Sequence, residues 1–282
     1  MRMPTTKVVV FNAAAVLITV AAVGAVARSL VFSPKAAPCS ERYTHTTVMT
    51  LERAGALMTA ADLQAGLGGR DVGLLENMSI VRVKDAPAPV AIMVRLPKAA
   101  ATENGEPHGG VSFPWQPRPV RGRTAACLAY SVLLPADFPF TRVGGTLPGI
   151  TGAEGDAGDD GFLARIVWRQ AGRLGIASSA RLAGSESRRV DEGSEGAELA
   201  RGRWVRLEQE VVLNTPRKED GILRLWIDGW LAIDRRDVSF RARPEVTISG
   251  VAADVFYGAE PGAGGPPKDT KVSLTPLEIR WH

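Results

Sequence analysis

Downstream of Thr124 the chain consists of short segments, each five to ten residues long, that are apolar or alternate between apolar and polar side chains. Turn residues rather than helical spans separate them. Ala126–Leu134, Phe162–Arg169, Trp204–Leu213, Leu223–Ile227 and Trp230–Asp234 have this form, and Ile80–Val83 and Val90–Leu96 extend it upstream. Side chains of a strand point alternately to opposite faces, so each such segment has one face to bury. At Asp228-Gly229, flanked by Leu-Trp-Ile and Trp-Leu-Ala-Ile, the sequence favours the positive φ angles of a two-residue hairpin turn. Many short strands without intervening helices predict an all-β fold, an antiparallel β-sandwich over residues 79–282.

Alternation also assigns faces. Val205, Leu207, Val211 and Leu213 share one side of their strand with Gln209, while Trp204, Arg206, Glu208 and Glu210 share the other. The next segment repeats the split, with Leu223, Leu225 and Ile227 toward the core and Arg224, Trp226 and Asp228 away from it. Phe162, Ala164, Ile166 and Trp168 alternate with Leu163, Arg165, Val167 and Arg169. A sheet face bearing arginines, carboxylates and indoles suits an acidic sugar chain, since flat rings stack on sugars and guanidinium forks match carboxylates. The alternative is a solvated face with Arg–Trp cation–π pairs. On the first reading the substrate-binding candidates are Arg165, Arg169, Arg206, Glu208, Arg224 and Trp226.

Arg2 and Lys7 precede a nearly pure apolar run from Val8 to Ala27. Its length suits a helix crossing a hydrocarbon layer of about 30 Å, while Ala25-Val26-Ala27 has the small-x-small pattern of a cleavage site. Residues 1–30 are therefore expected to be a signal anchor or a signal peptide, and the basic residues place everything after Arg28 outside the cytoplasm. There Cys39 and Cys127 can oxidise to a disulfide, the alternative being two buried thiols. Residues 31–78 are expected to be linker plus a short helical segment between Thr50 and Gly69. Pro97–Arg123, Gly144–Gly161 and Gly184–Gly202 are expected to be loops, the second a solvated flap whose acids do not follow a calcium-loop spacing.

Lys and Arg total 34 against 30 Asp and Glu, a net charge of +4 that is too mild and too evenly spread to imply a nucleic-acid partner. Two cysteines and three histidines, none grouped at ligand spacing, predict neither a metal site nor a cofactor.

Tyr130 to Pro135, Gly144 to Ile150, Gly161 to Arg169, Gly202-Arg203-Trp204, Leu207-Glu208-Gln209, Leu213 to Pro216, Asp220 to Leu223, Trp226 to Gly229 and Pro267 to Thr270 form an ordered set of phrases. Together they resemble family 14 polysaccharide lyases. The resemblance covers roughly Tyr130 to Ile279. It implies a β-jelly-roll of two curved sheets whose concave face binds a uronic-acid polymer such as alginate or glucuronan, and eliminative cleavage in active members. β-Elimination removes the proton beside a uronate carboxylate, so a site must neutralise that carboxylate, supply a base and protonate the leaving oxygen.

The family pattern implies a lysine before Leu-Pro-Gly, a serine and an arginine two apart on the following strand, and two tyrosines two apart on a later one. Here Arg165 keeps the arginine position, but Thr146 stands at the lysine position, Leu163 at the serine position, and no tyrosine occurs between Tyr130 and Tyr257. Tyr257 and Lys268 are substitutes for the missing groups or, alternatively, a packing residue and a loop charge; Arg165 either binds carboxylate or pairs with Glu208. Three readings follow: a membrane-tethered, lyase-like domain that binds acidic or neutral polysaccharide without cleaving it, an active lyase with a rebuilt catalytic set, and a structural or partner-binding component of the cell envelope.

Overall fold

The structure, a computed structural model, describes residues 36–67, 70–98, 109–154, 160–181, 188–258 and 265–282. The apolar run Val8–Ala27, with the membrane or signal helix expected of it, lies outside the described residues. Among the described residues no helix is long and apolar enough to cross a membrane.

Ala37–His282 forms a single unit built mainly of two large antiparallel sheets. The first contains β1 (His45–Val48), β4 (Met78–Arg82), β5 (Val90–Leu96), β7 (Ala125–Leu133), β12 (Trp204–Val212), β13 (Gly221–Ile227), β14 (Trp230–Val238), β17 (Thr270–Leu274) and β18 (Glu278–Trp281). Its main path runs β14-β13-β12-β7-β17-β5-β4, and β18 pairs with both β7 and β1. The second contains β6 (Pro114–Trp115), β8 (Gly145–Glu154), β9 (Gly161–Trp168), β10 (Arg173–Arg181), β11 (Arg188–Glu198), β15 (Val246–Ala252) and β16 (Phe256–Tyr257), in the order β11-β10-β9-β8-β15-β6 with β16 against β8.

The alternation read from the sequence sets the core. Leu128, Tyr130 and Val132 of β7, Val205, Leu207 and Val211 of β12, and Leu223 and Leu225 of β13 meet Phe162, Ala164, Ile166 and Trp168 of β9 and Leu174 and Ile176 of β10. Asp228 and Gly229 take φ angles of 49° and 78°, so β13 and β14 are joined by the expected hairpin turn. At one edge β11 approaches β14, and Arg235 hydrogen-bonds Glu192 across the gap between the sheets.

Three expectations need correction. Gly145–Glu154 is the strand β8, not a flap, leaving only residues 155–159 of that segment outside the described residues. Its glycines answer to neighbouring bulk rather than to flexibility: a Cβ on Gly145 would sit 1.9 Å from the Trp168 ring. Arg188–Glu198 is likewise the edge strand β11, where a polar composition is usual because one side has no strand partner. Finally, of residues 31–78, expected to be linker plus a short helical segment, those described from Ala37 on belong to the folded unit, and the helical segment falls within the expected span. A short hairpin, β2 (Glu52–Arg53) with β3 (Ala56–Leu57), precedes a helix over Ala60–Ala65. That helix starts at a capping box in which the Asp62 amide donates to the Thr59 hydroxyl and the Thr59 amide to the Asp62 carboxylate.

Candidate functional site

The outer face of the second sheet carries the residues aligned with the lyase pattern. On β9, Leu163 and Arg165 are partly exposed on the outer side, whereas Phe162, Ala164 and Ile166 are buried between the sheets and Val167 is buried too. Register places Thr146 of β8 opposite Val167, and Ala177 and Ser179 of β10 opposite Arg165 and Leu163. No lysine, histidine or tyrosine occurs anywhere in β8, β9 or β10. Thr146 is nearly buried, and its hydroxyl accepts a hydrogen bond from the Phe256 amide at 3.2 Å.

Arg165 does not pair with Glu208, which lies on the other sheet. Its Nε donates to Oδ2 of Asp254 at 2.6 Å, and the Ser112 hydroxyl donates to Oδ1 of the same carboxylate at 2.6 Å. The Asp254 side chain is 5% exposed and that of Arg165 38%, so a buried anion anchors a cation that reaches solvent. Sequence reasoning passed over Asp254. The available signal was a lone carboxylate between Val251-Ala252-Ala253 and Val255-Phe256, since a charge in an apolar run needs a partner. Farther along β9's line, Arg169 bonds Asp191 on β11 at 3.0 Å, its guanidinium lying over Gly175 of β10.

Beside Arg165, β8 has a bulge between Leu147 and Ile150. It is held from within the core. The Tyr130 hydroxyl donates to the Pro148 carbonyl at 3.0 Å, and the fully buried Gln209 of β12 spans the two sheets, accepting from the Ile150 amide and donating to the Ala164 carbonyl, each at 2.9 Å. A Cβ on Gly149 would lie 1.9 Å from the Ala164 oxygen and 2.7 Å from the Arg165 Cα, so only glycine permits this approach. Two phrases that carry the resemblance, Leu147 to Ile150 and Leu207-Glu208-Gln209, are thus contact partners in one scaffold.

Tyr257 and Lys268 are held elsewhere. The Tyr257 hydroxyl bonds the Pro139 carbonyl and Thr141, its ring packs against Phe138 and Trp168, and Lys268 pairs with Asp137. Burial raises the Tyr257 hydroxyl above its ordinary pKa, which Thr141 only partly offsets.

The polar and aromatic face expected on β12 and β13 is not a solvent surface. Trp226 is fully buried, and Glu208, Glu210 and Arg224 are nearly so. A strap at the start of the unit covers them: α1 (Cys39–Arg42) followed by Tyr43. Cys39 is disulfide-bonded to Cys127, with Cα atoms 5.7 Å apart. The Ser40 amide and hydroxyl donate to Glu208 at 3.0 and 2.9 Å, and the Tyr43 hydroxyl to Glu210 at 2.8 Å. Arg42 pairs with Glu210 and sits 5.7 Å from the Trp226 ring centroid. Arg224 bridges Glu210 and Asp234.

Burial alone would raise the Glu210 carboxyl, but the hydrogen bonds from Arg42, Tyr43 and Arg224 more than offset it and hold the group below its usual range. Burial and the adjacent Glu210 charge push the Tyr43 hydroxyl up. Of the four candidates on this face, Arg206 alone keeps substantial exposure, with Nε 3.4 Å from Glu208. Cys39, Cys127 and Glu208 lie close enough to hold a cation, but both sulfurs are spent in the disulfide.

Residues 85–275 match the family described as Polysaccharide lyase 14. The chain belongs to that family. Among curated proteins none matches it. The marine alginate lyase from Aplysia kurodai is similar at a TM-score of 0.65 and 16% identity, over 85% of this chain and 99% of that one. The endo-β-1,4-glucuronan lyase from the fungus Trichoderma reesei gives 0.57 and 12%, over 85% and 96%. A variant of alginate lyase Aly36B in complex with alginate tetrasaccharide gives 0.58 and 18%, over 84% and 93%. At these identities the likeness establishes the fold, the jelly-roll of two sheets.

Proposed function

We propose that this domain binds a uronic-acid polysaccharide on the outer face of its second sheet and does not cleave it. One observation carries the reading: β8, β9 and β10 retain an outward arginine, Arg165, but hold no lysine, histidine or tyrosine to move a proton. Threonine and alanine have no group that titrates near neutrality, so Thr146 and Ala177 supply neither base nor acid. A guanidinium still recognises a carboxylate without any proton transfer. Arg169, on the same side of β9, is the second proposed contact, whereas the buried Glu208, Arg224 and Trp226 are not contacts. The alginate tetrasaccharide held by the Aly36B variant supports a polymer of this class.

The setting proposed is outside the cytoplasm, with the apolar run Val8–Ala27 as a membrane tether. Support comes from the Cys39–Cys127 disulfide, which a reducing cytoplasm disfavours. The test is retention of the full chain on immobilised alginate or glucuronan, with ultraviolet detection of unsaturated sugar ends in the eluate. Retention that weakens in Arg165→Ala, without new absorbance, supports the reading. Passage of wild type and variant at the same volume removes it, and rising absorbance would restore catalysis.

A further inference from the structure

Among the described residues, Arg165 engages only one of its side-chain donors. Its Nε is engaged by Asp254, and among the described residues neither Nη meets an acceptor. Asp254 is not a surface partner free to swing, because its carboxylate is 5% exposed and its second oxygen is taken by the Ser112 hydroxyl. The strand on one side of Arg165 places Ala177 opposite it, and the strand on the other has its Pro148-Gly149 bulge there, so neither cross-strand position carries a bulky side chain. The result is an arginine gripped at Nε from below, with the fork of its two Nη groups directed outward at 38% side-chain exposure.

We propose that Asp254, fixed by Ser112, is a positioning residue that presents the Nη fork of Arg165 to a sugar carboxylate and so sets a preference for uronic over neutral sugar units. This rests on the binding reading above. The physical reason is preorganisation. A free arginine has several rotatable bonds, and a bidentate contact must freeze them, whereas here the buried carboxylate has frozen them in advance. The two Nη groups then match the two oxygens of a carboxylate in the parallel geometry that a single ammonium cannot provide. A neutral sugar ring, offering only hydroxyls, gains far less from that fork.

The test has two arms on the full chain. In the first, arginine side-chain nitrogen NMR follows the Nε–H of Arg165, assigned by its loss in Arg165→Lys. A slowly exchanging signal in wild type that shifts and exchanges fast in Asp254→Asn, and partly so in Ser112→Ala, is the expected result. In the second, a mannuronate oligosaccharide and its carboxyl-reduced neutral counterpart are titrated into wild type and Asp254→Asn. Asp254→Asn should weaken uronate binding about tenfold and leave the neutral counterpart unchanged, with Asp254→Glu recovering part of the loss.

An Nε–H that exchanges equally fast in wild type and Asp254→Asn overturns the positioning role, as does an equal loss for charged and neutral sugars. If the NMR arm succeeds while wild type binds no uronate sugar, the anchoring of Arg165 stands and the binding reading is what falls.

Discussion

Replacing Gln209 by leucine removes a polar side chain that, with Tyr130, joins the two sheets beside Arg165, with little change in volume. Gln209 is fully buried and makes two hydrogen bonds of 2.9 Å, one from the Ile150 amide and one to the Ala164 carbonyl. Leucine satisfies neither. Each of the two buried backbone groups left without its partner costs about 1–3 kcal/mol, about 2–6 kcal/mol together, and avoiding the burial of an amide returns part of that, so the net loss is about 2–4 kcal/mol. For a chain of this size the urea slope is roughly 3 kcal/mol/M, and the midpoint of unfolding should fall by about 1 M. Tyr130→Phe, which abandons only the Pro148 carbonyl, should cost about 1–2 kcal/mol. Urea unfolding followed by tryptophan fluorescence measures both. A Gln209→Leu midpoint within about 0.2 M of wild type would refute the idea that Gln209 holds the β8 bulge in place.

Other outcomes follow from the strap and the core. Cys39 and Cys127 lie 88 residues apart, and opening a loop of that length costs about 4–5 kcal/mol in the chain-entropy estimate, so Cys39→Ser/Cys127→Ser should show a much lower thermal midpoint. Trp226→Ala should cost about 3–5 kcal/mol in stability, because Trp226 is core under the strap, while leaving polymer affinity per folded molecule unchanged; the reverse pattern would return it to the surface. Glu210 titrates below its ordinary value of 4.5 in the folded state, so its contribution is complete above that pH and disappears as pH falls through the depressed folded value. Glu210→Gln should therefore lower stability at neutral pH and flatten the acid limb of the thermal midpoint against pH; an acid limb as steep as in wild type would contradict this.

The strands were legible because their alternation is a local property: β5, β12 and the β13–β14 hairpin begin and end close to where turn residues and apolar periodicity place them. Gln209 was likewise assigned to the inner face by parity alone, although its partners on β8 and β9 were not. What alternation cannot tell is what covers the other face. Arg224, Glu208 and Trp226 have the polar and aromatic pattern of a solvent surface, yet Ser40 reaches Glu208 across 168 residues of sequence and turns that surface into a second interior. The cysteine pair was the one local hint of the strap. β8 was misread for a different reason: glycine signals both freedom and tight packing, and at Gly145 and Gly149 the contact with Trp168 and with the backbone of β9 decides for packing. The Arg165–Asp254 pair escaped because its partners are 89 residues apart and meet only across β8.

The most direct trial of the central claim is a single size-exclusion run of the full chain with high-molecular-weight alginate, recording protein and unsaturated-uronate absorbance together. Coelution of wild type with polymer of unchanged size, lost in Arg165→Ala, is the predicted result. Protein eluting apart from intact alginate, or alginate shortened with new ultraviolet absorbance, would contradict it.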